Sequence, residues 1–274
     1  MKRLLALILC VLMLSALAAC SQKEEDKIKA KNEEKIVTSV TQNGDTFIFA
    51  DVDSETVRIT GFKTTNGTAH KVTIPAYLDG KLVVAISTEA FGSNSSISEI
   101  AFPTEADFLA GDAEFVMAEY SLSIAAYAFR GCDNLISITI PAYVNELGEG
   151  AFYECGLLET VTFEEGRLDK LAKATFMDCN SLVNVTIPGS IKVLGQGAFF
   201  SCKNLETVTL AEGVAEVGAQ AFEHCDKLSV VNLASTVTYV GNKAIIKSDA
   251  LTAVNYRGSS EQVLSYIDAL NLPQ

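Results

Sequence analysis

The sequence predicts a β-rich, right-handed solenoid. Its coils of about 23 residues stack a parallel sheet and are joined by short helical or 3-10 turns, with a hairpin-like cap before them and a capping helix after. Three observations carry this. The pair Ala-Phe recurs: Phe91, Phe129, Phe152, Phe176, Phe199 and Phe222 align, with Ile245 as a degenerate seventh, at steps of 38, 23, 24, 23, 23 and 23 residues. Apolar positions keep register with that anchor, so one unit cannot bury its own side chains but a stack can. Finally, 274 residues with 49% apolar and 20% charged content and only 5 Pro supply a sizeable core and exclude a disordered or collagen-like chain.

From the N-terminus, Met1 to Arg3 is positive and Leu4 to Ala19 is apolar apart from Ser15. Sixteen residues fall short of the ~20 that span a bilayer, and small residues close the run, as in a secretory signal. The stretch resembles a bacterial lipoprotein signal, with Leu17-Ala18-Ala19-Cys20 as its lipobox. The resemblance implies cleavage before Cys20, lipidation of its sulfur and new amino group, and membrane attachment through that anchor alone. Ser21 to Lys35 balances five Lys against five acids around a single branched apolar residue, Ile28; residues 20–44 are expected to form the lipidated cysteine and a flexible charged tether.

Residues 45–274 then read as one domain: an N-cap over 45–71, repeats over 72–256 and a C-cap over 257–274. Phe47, Phe49, Val57, Ile59 and Phe62 give the hairpin-like start, with Asn66-Gly67 as a turn. Val72-Thr73-Ile74-Pro75 matches the strand of a first coil, and Asp79-Gly80 marks a turn in a lengthened repeat. In the coils that follow, Cys132, Cys155, Cys179, Cys202 and Cys225 stand three residues after the anchor. Ile97, Leu135, Leu158, Leu182, Leu205, Leu228 and Leu251 stand six after, and Ile100, Ile138, Val161, Val185, Val208, Val231 and Val254 nine after. The alternation in L-x-x-V-x-I is that of a strand. Gly148, Gly195, Gly218 and Gly241, four before the anchor, are expected to supply a turn with positive φ.

The 38-residue step holds about 15 extra residues, near Thr104 to Met117. They mix acids with Phe108, Leu109, Phe115 and Val116, and Tyr120 follows. Two readings stand: a loop that packs back on the solenoid, or a ligand-contacting element. At the far end Ser259-x-x-Gln262 resembles a capping box, so a helix is expected over Ser259 to Leu270, stopped by Pro273.

The combined pattern I/L-G-x-x-A-F-x-x-C-x-x-L-x-x-V-x-I-P resembles the BspA-like leucine-rich repeat of bacterial surface proteins over about residues 72–256. Phe163-Glu164 and Leu210-Ala211 lack the Pro, and Ala172 replaces the Gly. The resemblance implies a leucine-rich repeat solenoid on the cell surface, outside the cytoplasm. Some members of the family bind host matrix proteins or mediate adhesion.

The residue chemistry points to binding, not reaction. Net charge is -13, and beyond residue 35 it is -15 from 14 basic and 29 acidic residues, which repels nucleic acid. His70 and His224 are the only histidines, and no metal-ligand spacing or nucleophile motif is present, so no cofactor, metal or enzymatic activity is expected. His70 shows no partner in the sequence and His224 falls at a variable turn position. The five repeat cysteines share one inward position, as a ladder of buried thiols. Glu164, Glu165 and Glu212 read as solvated turn residues, and Arg167, Lys170 and Lys173 as a charged edge. Thr139, Thr162, Thr186 and Thr209, ten residues after successive anchors, form one outer stripe continued by Asn232. It is either a product of β propensity or a polar binding face. The candidate ligand-binding residues are therefore this stripe with Phe108, Phe115 and Tyr120. The expected chain is a monomer that recognises a protein or glycan, extracellular matrix included. The alternative is an envelope lipoprotein acting as a protein–protein scaffold.

Overall fold

The computed structural model describes residues 36–40, 44–112, 114–246 and 250–270. The signal, Cys20 and the charged run to Lys35 lie outside them. The chain opens with β1 (Ile36–Val40), β2 (Asp45–Asp51), β3 (Thr56–Thr64), β4 (His70–Thr73), β5 (Tyr77–Leu78), β6 (Lys81–Ile86) and β7 (Ile97–Ala101). After helix α1 (Glu105–Gly111) come β8 (Leu122–Ile124), β9 (Ser137–Ile140), β10 (Val144–Leu147), β11 (Thr160–Phe163), β12 (Lys170–Leu171), β13 (Asn184–Ile187) and β14 (Val193–Leu194). The last are β15 (Thr207–Leu210), β16 (Glu216–Val217), β17 (Val230–Leu233), β18 (Tyr239–Val240), β19 (Ala253–Tyr256) and helix α2 (Glu261–Ala269).

Every coil contributes one strand to an eight-stranded sheet ordered β19-β17-β15-β13-β11-β9-β7-β4, whose pairs are parallel. A second short strand per coil builds the opposite wall. That wall is a seven-stranded sheet at the N-terminal end and a four-stranded one, β12-β14-β16-β18, at the other. β2 and β3 pair antiparallel as the cap, and β3 then pairs parallel with β6, which splices the hairpin onto the coils. The hairpin turns at Asp53, whose carboxylate accepts the Glu55 and Thr56 N–H groups; Asn66-Gly67 lies in the loop to β4. Asp79 and Gly80, at φ 52° and 74°, make the tight turn between β5 and β6. Residues 36–40, read from sequence as tether, are β1 at the edge of the N-terminal sheet, as the β-branched run Ile-Val-Thr favours.

The interior is a set of columns. Phe91, Phe129, Phe152, Phe176, Phe199 and Phe222 are buried, and successive rings lie 4.9–5.6 Å apart, the later pairs within 11° of parallel. That is offset-stacking distance, and each ring contributes about 1.5–3 kcal/mol of burial. Each Phe N–H donates to the carbonyl preceding the next anchor, as from Phe152 to Thr175 at 2.9 Å and from Phe176 to Ala198 at 2.8 Å. Thr175 replaces the usual Ala and satisfies its buried hydroxyl on the Ala172 carbonyl at 2.8 Å.

The turn glycines act differently from the sequence expectation. Gly148, Gly195, Gly218 and Gly241 do not have positive φ. A Cβ on Gly148 would lie 2.3 Å from the Ala126 nitrogen, and one on Gly241 2.5 Å from that of Ala219, so these glycines let neighbouring coils touch. The left-handed residues lie elsewhere, two before and two after each anchor. The first set is Glu89, Tyr127, Gly150, Ala174, Gly197, Gln220 and Lys243 at φ 56–60°; the second is Ser93, Gly131, Glu154, Asp178, Ser201 and His224 at φ 55–63°. Paired reversals around each Phe turn the chain into and out of the ring column.

The C-terminal helix begins one residue later than its apparent capping box. Ser260 is its N-cap, accepting from the Val263 N–H, and Gln262 instead binds the last coil.

Candidate functional site

Alternation within each strand of the eight-stranded sheet sends the ninth and eleventh residues after the anchor inward and the eighth and tenth outward. Ladder register then stacks the outward residues: Thr139 beside Thr162, Thr186 beside Thr209, Thr209 beside Asn232, and Asn232 beside Asn255. Thr139, Thr162 and Thr186 are exposed and make no side-chain hydrogen bond among the described residues. The C-terminal part of the stripe is closed into a chain, with Asn255 donating to Asn232 at 2.8 Å and Asn232 to the Thr209 hydroxyl at 3.1 Å, which leaves Thr209 and Asn232 half-buried.

The insertion is built as a braced wall. Thr104 and Asp107 form a capping box at the start of α1, and those hydrogen bonds hold the Asp107 carboxyl below the usual carboxylate range. Phe108 is fully buried, stacked on Phe115 at 4.5 Å and packed against Tyr120 and Tyr143. Tyr120 donates to the Val83 carbonyl and Tyr143 to that of Pro103, both at 2.7 Å, and burial pushes both phenols well up. The Arg167 guanidinium bonds the Ala118 carbonyl from the neighbouring coil. Phe108 and Tyr120 thus fill the interior of the insertion and are not presented to a ligand, because the excursion has its own small aromatic core. Phe115 remains half-buried.

Stripe and insertion meet in a cleft of about 480 Å3. Phe102, Met117 and Pro141 form its apolar walls over the buried Ile100 and Pro103, Thr139 enters from the stripe, and Glu99, Glu105 and Glu164 stand around it. Among the described residues no Lys, Arg or His lines it. The sequence named the two parts, with Phe102 eleven residues after its anchor and Met117 in the insertion, but not their junction.

Elsewhere, polar groups hold coils together. His70 has a partner the sequence did not reveal: its Nε2 lies 2.9 Å from the Asp45 carboxylate, brought from 25 residues upstream by the cap hairpin. Glu165 accepts the Gly189 and Ser190 N–H groups, both at 3.0 Å, and Glu212 accepts from Ser235 N–H at 2.9 Å, so these rim carboxylates staple adjacent turns. Lys173 pairs with Glu149 at 2.9 Å. His224 is exposed against Phe200. Each of the five cysteines is a buried free thiol donating to the phenylalanine carbonyl one coil back, at 3.2–3.3 Å, and burial raises all five, Cys132 and Cys225 to about 12. Among the described residues no group of His, Cys, Asp or Glu is placed to hold a metal, and no helix is long and apolar enough to cross a membrane.

The family model "BspA type Leucine rich repeat region" matches residues 122–252 in six copies. The coils over residues 122–252 are leucine-rich repeats of the BspA type. In these BspA-type coils the matched span begins at β8 and ends just before β19. The solenoid is similar to the T. pallidum leucine-rich repeat protein TpLRR, at 21% identity and a TM-score of 0.45, covering 85% of this chain and 92% of that one. It is also similar to a leucine-rich cell surface protein of Faecalibacterium prausnitzii A2-165, at 18% identity and a TM-score of 0.40, covering 82% and 77%. A third similar structure is the pneumococcal vaccine antigen PcpA, at 16% and 0.41, covering 82% of each chain. No curated protein matches the chain.

Proposed function

We propose that the protein is a non-catalytic binding module displayed at the bacterial cell surface. It is held there by lipid on Cys20, spaced from the membrane by the charged residues after it, and recognises a protein partner through the outer face of the eight-stranded sheet. The observation that carries this is the face itself. Register stacks Thr139, Thr162 and Thr186 outward with no side-chain hydrogen bond among the described residues, beside a cleft walled by a braced insertion. Long elements on a rigid scaffold are where recognition concentrates. The BspA-type repeats favour a protein-interaction role, and the lipobox resemblance together with the surface naming of one similar protein favours the location.

The test is a screen of the chain against matrix proteins, mucins and glycans, repeated with Thr162→Lys/Thr186→Lys on the face and Thr238→Lys on the opposite side. A matrix ligand lost only with the face pair supports adhesion. Recovery of envelope proteins alone assigns the scaffold role instead, and capture of glycans alone moves the partner class from protein to carbohydrate. Binding that survives the face pair and fails with Thr238→Lys overturns the assignment of the face.

A further inference from the structure

We propose that the cleft between the insertion and the sheet docks a cationic segment of the partner, in which lysine or arginine alternates with apolar side chains. This rests on the binding-module reading and names the part of the face that selects. The volume, about 480 Å3, is that of a recognition site for a few side chains, not for a folded surface. Its walls ask for apolar groups: Phe102 and Met117 are only half-buried, and the half-buried Pro141 presents a rigid ring. Its rim asks for positive charge, since Glu99, Glu105 and Glu164 converge on it and no basic residue lines it among the described residues.

The rim carboxylates are available. Glu105 heads α1 with no side-chain hydrogen bond or ion pair among the described residues. Glu164 uses one oxygen to accept the Ala142 N–H at 3.0 Å, and the other has no hydrogen bond among the described residues. Glu99 pairs with Lys71 at 2.7 Å, but both side chains are about half exposed, and a docked cation displaces such a pair at little cost. The wall opposite is held in advance of binding by the Tyr120, Tyr143 and Arg167 bonds to backbone carbonyls, so docking orders few side chains.

The experiment uses the full chain in neutral detergent and a fluorescent pentapeptide alternating lysine and leucine, read by anisotropy at low salt. Lysine–serine and glutamate–leucine peptides are the comparisons. Glu99→Gln/Glu105→Gln/Glu164→Gln is expected to weaken the lysine–leucine peptide by about tenfold or more. Glu55→Gln/Glu206→Gln/Glu216→Gln, which removes the same charge elsewhere, should leave it within about twofold. Equal weakening by both triple variants, equal binding of the lysine–serine peptide, or no binding of the lysine–leucine peptide overturns the proposal. Those results leave the face reading standing, because Thr162 and Thr186 lie outside the cleft; loss of partner binding in the Thr162→Lys/Thr186→Lys pair is read separately.

Discussion

Gln262 treats Val240 as a further coil would: its side-chain amide accepts the Val240 N–H at 3.0 Å and donates to the Val240 carbonyl at 2.8 Å. Tyr266 does the same for the turn ladder, its hydroxyl accepting the Ile245 N–H at 2.8 Å and donating to the Ile245 carbonyl. Two side chains of one helix thus end two backbone ladders that coils have propagated from the N-terminal side. Gln262→Ala leaves both Val240 groups without these partners and should cost about 1–3 kcal/mol. Urea unfolding measures it, and a change under ~0.5 kcal/mol would mean water serves the ladder end equally well.

The paired left-handed positions predict opposite signs for one kind of exchange. Ala174, at φ 56°, carries a Cβ in a conformation that disfavours it by about 1–2 kcal/mol, partly offset by the greater unfolded freedom of glycine. Ala174→Gly should therefore stabilise by about 0.5 kcal/mol, and Gly197→Ala, at φ 60°, should destabilise by about 1 kcal/mol. Thermal midpoints of the two variants moving in the same direction would contradict the assignment.

Glu212 predicts a pH dependence. The Ser235 N–H holds its carboxyl below the ordinary value, so it binds its proton less readily folded than unfolded. Its contribution is then complete above the unfolded pKa and fades as pH falls through the folded one. The wild-type advantage over Glu212→Ala in urea should be full at pH 7 and shrink steadily below the usual glutamate range. An advantage that grows on acidification would reverse the sign and refute the staple.

Much of this was legible in the sequence. The Phe, Cys, Leu and Val columns are a matter of counting from Phe91 onward, whereas Val144, Leu168, Ile191, Val214 and Val237, a further buried column eight residues before the anchors, were not assigned. What spacing does not encode is which backbone group a side chain finds across coils. Gln262 reads as half of a capping box because Ser259 lies three residues before it, yet its partner is Val240 in the previous coil. Gly148 reads as a φ > 0 residue, but its constraint is the Ala126 backbone of another coil. His70 and Asp45 meet only through the hairpin. At the candidate site, alternation gave the Thr stripe. The same apolar residues that marked the insertion as a contact element, Phe108 and Tyr120, are what hold it down, and composition alone does not separate the two roles.

Stacked coils that hide the five repeat thiols behind a continuous hydrogen-bonded backbone, with the outer face proposed for recognition, are the centre of this account. Residue-resolved alkylation with iodoacetamide, read by mass spectrometry on the folded and the denatured chain, tests it most directly. Cys132, Cys155, Cys179, Cys202 and Cys225 should stay unmodified while the chain is folded and all label on denaturation, because burial both shields the thiols and keeps them protonated. Labelling of Cys155, Cys179 or Cys202 in the folded chain at the rate of a free thiol would contradict the stacked interior and the binding surface built upon it.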